Sequence, residues 1–123
     1  MSRAFDAAAA PPKAGPYSHG VQTGNIVFLA GQGPFDPDGG PMPESFEEQA
    51  RLTFANLAAV AEAAGGSLAD AVRVGVYLRT MDDFAAMNAI YAEFFTNPYP
   101  ARTTIQSNLN ISIEVDAVLE LGA

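Results

Sequence analysis

The sequence predicts an α+β fold of two layers, in which two helices cover one face of a mixed or mostly antiparallel sheet. Three observations carry this reading. Val72, Val74, Val76 and Leu78 alternate with Arg73, Gly75, Tyr77 and Arg79, the period-two pattern of a half-buried strand. Phe46, Ala50, Phe54, Leu57, Ala61 and Ala64 recur at steps of three and four, the single apolar stripe of an amphipathic helix. The order of such segments along the chain is β-β-β-α-β-α-β-β, and helices of this length need a sheet to bury their stripes against.

Taken in order, a short strand is expected over Arg3 to Asp6, followed by a small-residue approach from Ala7 to Ala14 that contains Pro11-Pro12. Two strands fill Tyr17 to Leu29, on either side of the turn Thr23-Gly24-Asn25. In Ala30-Gly31-Gln32-Gly33-Pro34, two glycines at a strand exit imply either a tight turn or a close approach of another group to the backbone. The loop Asp36-Pro37-Asp38-Gly39-Gly40-Pro41 leads to Ser45-Phe46-Glu47-Glu48, a capping box that starts the first helix, and Gly65-Gly66 stops it near Ala64. After the valine-rich strand, Thr80-Met81-Asp82-Asp83 opens a second helix whose stripe is Phe84, Met87, Ile90, Tyr91 and Phe94, and Asn97-Pro98 ends it. Asn88, at the edge of that stripe, is either an ordinary boundary residue or a half-buried amide with a partner.

The last two strands hold the residues that point to chemistry. Arg102, Thr104 and Gln106 share one face of the first, and Ser112, Glu114 and Asp116 share one face of the second. The short Asn108-Leu109-Asn110 connection suggests an antiparallel hairpin that lays these faces side by side. Arg102 is then either half of a cross-strand ion pair or the holder of an anion. A second polar face that also includes Arg73 and Tyr77 suits a partly buried interface between subunits.

Composition excludes several classes of function. Six Lys and Arg stand against 14 Asp and Glu, a formal net charge of −8 with no basic cluster, which disfavours phosphate backbones and anionic membranes as partners. With no Cys and a single His, a thiolate or histidine metal centre is not expected. No stretch approaches the roughly twenty apolar residues that span a bilayer, and a cytoplasmic location is the default. Length and the lack of a linker-like segment favour one domain over residues 1–123.

The ordered set Gly15-Pro16-Tyr17-Ser18, Ala30-Gly31-Gln32, Asn56-Leu57, Ala64-Gly65, Asp83-Phe84-Ala85-Ala86-Met87-Asn88, Tyr91 with Phe94-Phe95, Pro100-Ala101-Arg102 and Ile113-Glu114-Val115 resembles the reactive intermediate deaminase (RidA/YjgF) family, in older usage the L-PSP endoribonuclease family. The likeness covers nearly the whole chain. It implies a chorismate-mutase-like fold with a six-stranded mixed sheet, a homotrimer with clefts between subunits, and cofactor-free hydrolysis of 2-enamines and 2-imines such as 2-aminoacrylate to 2-oxo acids and ammonia. Carried over residue by residue, it makes Arg102 the grip on the substrate carboxylate, helped by the Gly31 backbone N–H, and Glu114 the group that activates water and moves its proton. Tyr17 closes the pocket, Phe84 and Asn88 line it, and the backbone of Thr104 holds the water. This chain has Ala30 where many members have Ser and Thr104 where many have Cys, and it is shorter before Pro100 and between Arg102 and Glu114. A binding module for small carboxylates would use the same Arg102 and Gly31 without needing Glu114. The ribonuclease suggested by the older name fits poorly with the charge balance.

Overall fold

The computed structural model describes residues 1–122; Ala123, the end of the expected domain, lies outside them. Strands β1 (Ser2–Phe5), β2 (Gly20–Thr23) and β3 (Ile26–Gln32) are followed by helix α1 (Phe46–Ala63), strand β4 (Ala71–Leu78), helix α2 (Phe84–Phe94) and strands β5 (Ala101–Gln106) and β6 (Ile113–Glu120). The six strands form one mixed sheet in the order β1-β2-β3-β6-β4-β5, antiparallel throughout except for the parallel pair β4–β5. Both helices lie over one face, so the two-layer α+β expectation holds.

The core between the layers is built from the predicted alternations, except that a register shift between Ala71 and Arg73 turns Val72 outward, where it is 45% exposed. Val27 and Leu29 of β3, Val74, Val76 and Leu78 of β4, and Ile113, Val115, Ala117 and Leu119 of β6 face Phe54, Leu57, Val60 and Ala61 of α1 and Met87 and Ile90 of α2. The Ser45 hydroxyl accepts the Glu48 N–H at 3.1 Å, as the capping pattern requires. Gly65, at φ +88°, terminates α1 in the left-handed region where a side chain would be strained. The reciprocal box occurs instead before β4, where Ser67 and Asp70 each accept the other's backbone N–H around a single 3-10 turn. The second strand starts at Gly20 rather than Tyr17; the chain from Ala7 to His19 runs as irregular backbone.

One expectation fails. Strands β5 and β6 do not form a hairpin: β4 lies between them, parallel to β5 and antiparallel to β6. The reason is burial. The helix-facing side of β4 is fully enclosed, and a strand so placed needs hydrogen-bonded neighbours on both edges. The connection from Ser107 to Ser112 steps across the end of β4 and clasps it, with Ser107 N–H donating to Leu78 O (2.8 Å) and Arg79 N–H to Ser112 O (3.0 Å).

Candidate active site

Register decides where the two charged candidates point. Arg102 stands opposite Val74 and Thr104 opposite Val76, so both share the helix-facing side of the sheet. Glu114 stands opposite Tyr77 and Asp116 opposite Gly75, on the other side. The expected juxtaposition of the two polar faces is therefore wrong, and Arg102 does not belong to the open face with Arg73 and Tyr77. Within one chain Arg102 and Glu114 make no ion pair; they serve two separate cavities with no wall in common.

The Arg102 half-site is organised by α2. The guanidinium donates from Nη2 to Asn88 Oδ1 at 2.7 Å and from Nη1 to Met87 Sδ at 3.8 Å. Its central carbon lies 4.7 Å from the centroid of the Tyr91 ring and 5.9 Å from that of Phe84. Residues 87 and 88 stand one turn before 91 on the helix, so one helical face clamps the cation by a hydrogen bond and a cation–π contact. Asn88 thus has the partner its half-buried position demands. The cavity beside it, about 420 Å³, is walled by Asn88, Tyr91, Ala92, Tyr99, Pro100 and Arg102. The hydroxyls of Tyr91 and Thr104 are buried with no hydrogen-bond partner among the described residues, and burial pushes the Tyr91 phenol pKa up.

The Glu114 half-site is organised by a bulge. Leu29 pairs with Ala117 and Gln32 with Val115, so Ala30 and Gly31 together oppose Asp116 alone. Glu114 lies across the bulge: a Cβ on Gly31 would fall 2.5 Å from Glu114 Oε2. Of the two glycine readings, close approach is the one realised, and Gly31 is not among the glycines of positive φ. Ala30, next in the strand, donates its N–H to His19 O at 2.9 Å. Tyr17, 45% exposed, accepts the Ala14 N–H at its phenol oxygen (3.2 Å), leaving its own hydrogen free to donate. The cavity of about 220 Å³ holds Tyr17, Gly31 and Glu114 together, with Pro11, Pro12, Ala14 and His19 on one side and Gly33, Phe35 and Ile111 on another.

Burial, and then the Asp116 carboxylate two residues along the same face, raise the Glu114 pKa above its ordinary value. Arg102, on the far side of the sheet, does not offset this. Asp116 is itself engaged, accepting from the Tyr77 hydroxyl at 3.0 Å over Gly75, and burial followed by that carboxylate raises the Tyr77 pKa.

Sequence reasoning gave no role to three buried polar residues that hold the segments around the Glu114 cavity. Asn56 of α1, 2% exposed, donates to Gly33 O (2.9 Å) and Phe35 O (2.8 Å). Gln49, nearly two turns earlier, donates to Pro43 O and accepts the Ser112 N–H. His19 binds the N-terminal segment at both ring nitrogens. The signal for the first two was present in the helix, where polar residues occupy positions 49, 53 and 56 beside the apolar stripe at helical spacing.

The sequence profile described as Endoribonuclease L-PSP matches residues 7–120. The chain belongs to that family. A RutC family protein of Pyrococcus horikoshii is 43% identical over 113 residues, which cover 89% of this chain and 90% of the relative. The 2-iminobutanoate/2-iminopropanoate deaminase of Dermatophagoides farinae is 38% identical over 117 residues, 90% of this chain and 91% of the relative. The crystal structure of RidA from the Antarctic bacterium Psychrobacter sp. PAMC 21119 superposes with a TM-score of 0.92 at 37% identity, over 97% of this chain and 99% of that one. The RidA/L-PSP resemblance and the six-stranded fold expected from it are thus established. Among the described residues no helix is long and apolar enough to cross a membrane.

Proposed function

We propose that the protein hydrolyses short-lived 2-imino and 2-enamino acids to 2-oxo acids and ammonia, at a site completed between neighbouring copies in a homotrimer. The observation that supports this best is Glu114, a carboxyl of raised pKa held against the Gly31 backbone in a cavity shared with Tyr17. Gripping a carboxylate requires Arg102 but not a proton-carrying acid, so Glu114 favours an enzyme over a binding module. The split of the candidates over two sheet faces supports a shared site, since one substrate meets both halves only if they come from different copies.

In this reading the substrate carboxylate lies on Arg102, whose plane and position the α2 clamp presets. Water adds to the imine carbon, forming the C–O bond as the C=N electron pair moves to nitrogen. Glu114 takes the water proton and returns it to that nitrogen; in the resulting carbinolamine the hydroxyl proton then passes to nitrogen through the same carboxyl as C=O re-forms and the C–N bond breaks, expelling ammonia. Tyr17 donates a hydrogen bond across the pocket, Phe84 stands beside the Arg102 guanidinium, and the backbone of Thr104 holds the water. Atoms balance with water as the only co-reactant.

The test is a coupled assay in which an amino-acid dehydratase or oxidase makes the imine in place and ammonia release is followed against the spontaneous background. Acceleration is expected, with Glu114→Gln lowering the rate by about 10²–10⁴ while 2-oxo-acid affinity stays within several-fold. Arg102→Ala should weaken that affinity about tenfold or more by removing a charge-assisted contact. No acceleration for any side chain, despite measurable 2-oxo-acid binding, would leave the carboxylate-binding module standing in its place.

A further inference from the structure

His19, the one histidine of the chain, has no place in the chemistry above, yet its ring ties down the wall of the Glu114 cavity. The Ala7 N–H donates to His19 Nδ1 at 2.9 Å. The ring hydrogen therefore sits on Nε2, where it is donated to Pro11 O at 3.0 Å. One imidazole thus fastens both ends of the stretch from Ala7 to Pro11. Little else does. Among the described residues the one hydrogen bond inside the stretch is Ala10 N–H to Ala7 O at 3.2 Å, Pro11 and Pro12 have no N–H to give, and the buried apolar groups are only the Ala7 and Ala10 methyls and the Pro11 ring.

We propose that His19 is a positioning residue for the water-activating half of the site: its ring hangs the Ala7–Ala14 segment as the wall of the Glu114 cavity and through that segment sets Tyr17. The link to Tyr17 is direct, because Ala14, three residues beyond Pro11, donates its N–H to the phenol oxygen. The backbone of His19 reaches the other side of the cavity, its carbonyl accepting the Ala30 N–H just before Gly31. Its own N–H goes to Asp6 Oδ1 at 3.2 Å, and Asp6 Oδ2 also holds Lys13 at 2.8 Å, a second and weaker tie on the same segment. The role assigned to His19 rests on the deaminase reading for its kinetic consequence, but not for its structural one.

The experiment compares wild type, His19→Ala, His19→Gln and Asp6→Ala by imine hydrolysis and by amide hydrogen exchange. Loosening the wall should disturb the chemical step more than carboxylate binding, which belongs to Arg102 on the other half. His19→Ala is therefore expected to lower kcat about tenfold with KM within about twofold, and to lose protection at the Ala7 amide while α1 and β4 keep theirs. Glutamine offers an oxygen acceptor and an N–H donor on one side chain, so His19→Gln should recover kcat to within about threefold. Asp6→Ala, at an exposed carboxylate whose loss does not threaten folding, should show the same kcat-selective loss in smaller measure. Unchanged kcat in both His19→Ala and Asp6→Ala, failure of glutamine to rescue, or exchange rising across the whole domain would each overturn the assignment. If wild type hydrolyses no imine, the deaminase reading falls and exchange alone judges His19: release confined to the Ala7–Ala14 segment and reversed by glutamine upholds the tether, and any other pattern rejects it.

Discussion

Arg102 shows how much of a functional side chain is its support. A free arginine on an edge strand samples many rotamers, whereas this one is held by Asn88 on one nitrogen and lies over the Tyr91 ring. The two attributes of Tyr91 can be separated. Tyr91→Leu removes the π face and should weaken 2-oxo-acid affinity by about 3- to 30-fold, in line with about 0.5–2 kcal/mol for a cation–π contact. Tyr91→Phe keeps the face and deletes a buried hydroxyl that has no partner among the described residues, so affinity should hold while stability rises by up to about 1 kcal/mol; calorimetry beside thermal melts reads both. For Glu114 the sign of the pH effect follows from its raised pKa. The neutral acid is the form the fold accommodates, so its contribution to stability is complete below the ordinary value of 4.5 and is lost as pH rises through the folded value. In a chain kept monomeric, Glu114→Gln should match the parent's melting temperature at low pH and exceed it near neutrality. Equal melting temperatures at both ends of that range would show that burial does not govern this carboxyl.

At the scale of elements, α1 does more than cover the sheet. Its buried face mixes the apolar stripe with Gln49, Thr53 and Asn56, and two of these hold the loops around the Glu114 cavity. Asn56→Ala would strip Gly33 O and Phe35 O of a shared donor and should cost about 2 kcal/mol or more. Thr53 is the contrast: its hydroxyl is buried with no partner among the described residues, so Thr53→Val, nearly identical in shape, should raise stability by about 1 kcal/mol. Urea unfolding of the two variants tests whether the polar face of α1 divides into a clamp and an unsatisfied hydroxyl, and a stabilised Asn56→Ala would contradict the clamp. The bulge at Ala30-Gly31 has a comparable role in β3, since it shifts the ladder by one residue where Glu114 needs room beside the backbone.

At the scale of the whole molecule, the sheet is finished on one face only. The helices cover one side, while Phe28 and Ile105 on the other are 50% and 45% exposed, in company with Arg73, Tyr77, Glu114 and Asp116. A face of this mixed character fits the proposed trimer. Ile105→Asp changes an exposed position and should cost the single chain less than about 0.5 kcal/mol. Placed in a subunit interface, the same carboxylate would be desolvated, so the variant should sediment as a monomer where wild type sediments as a trimer, and should lose hydrolysis because the two half-sites no longer meet. A monomeric variant with full activity would contradict the shared site.

Much of the protein was legible along the chain because the signals involved are local. Capping at Ser45, the glycine stop at Gly65, the valine alternation of β4 and the stripe of α2 each report which groups a segment must bury, and the ordered motifs around Tyr17, Gly31, Arg102 and Glu114 pointed to the RidA family. Strand order was not legible in the same way. Residues 107–112 suit a hairpin as well as a step across β4, and the choice depends on a buried strand's need for two partners, a condition on the whole sheet. That choice sends Arg102 to the helices and Glu114 to the open face, separating two residues that alternation alone set side by side. The roles of His19 and Asn56 were equally hidden, since a buried polar side chain is defined by distant backbone groups, and those come within hydrogen-bond distance only when the chain has folded.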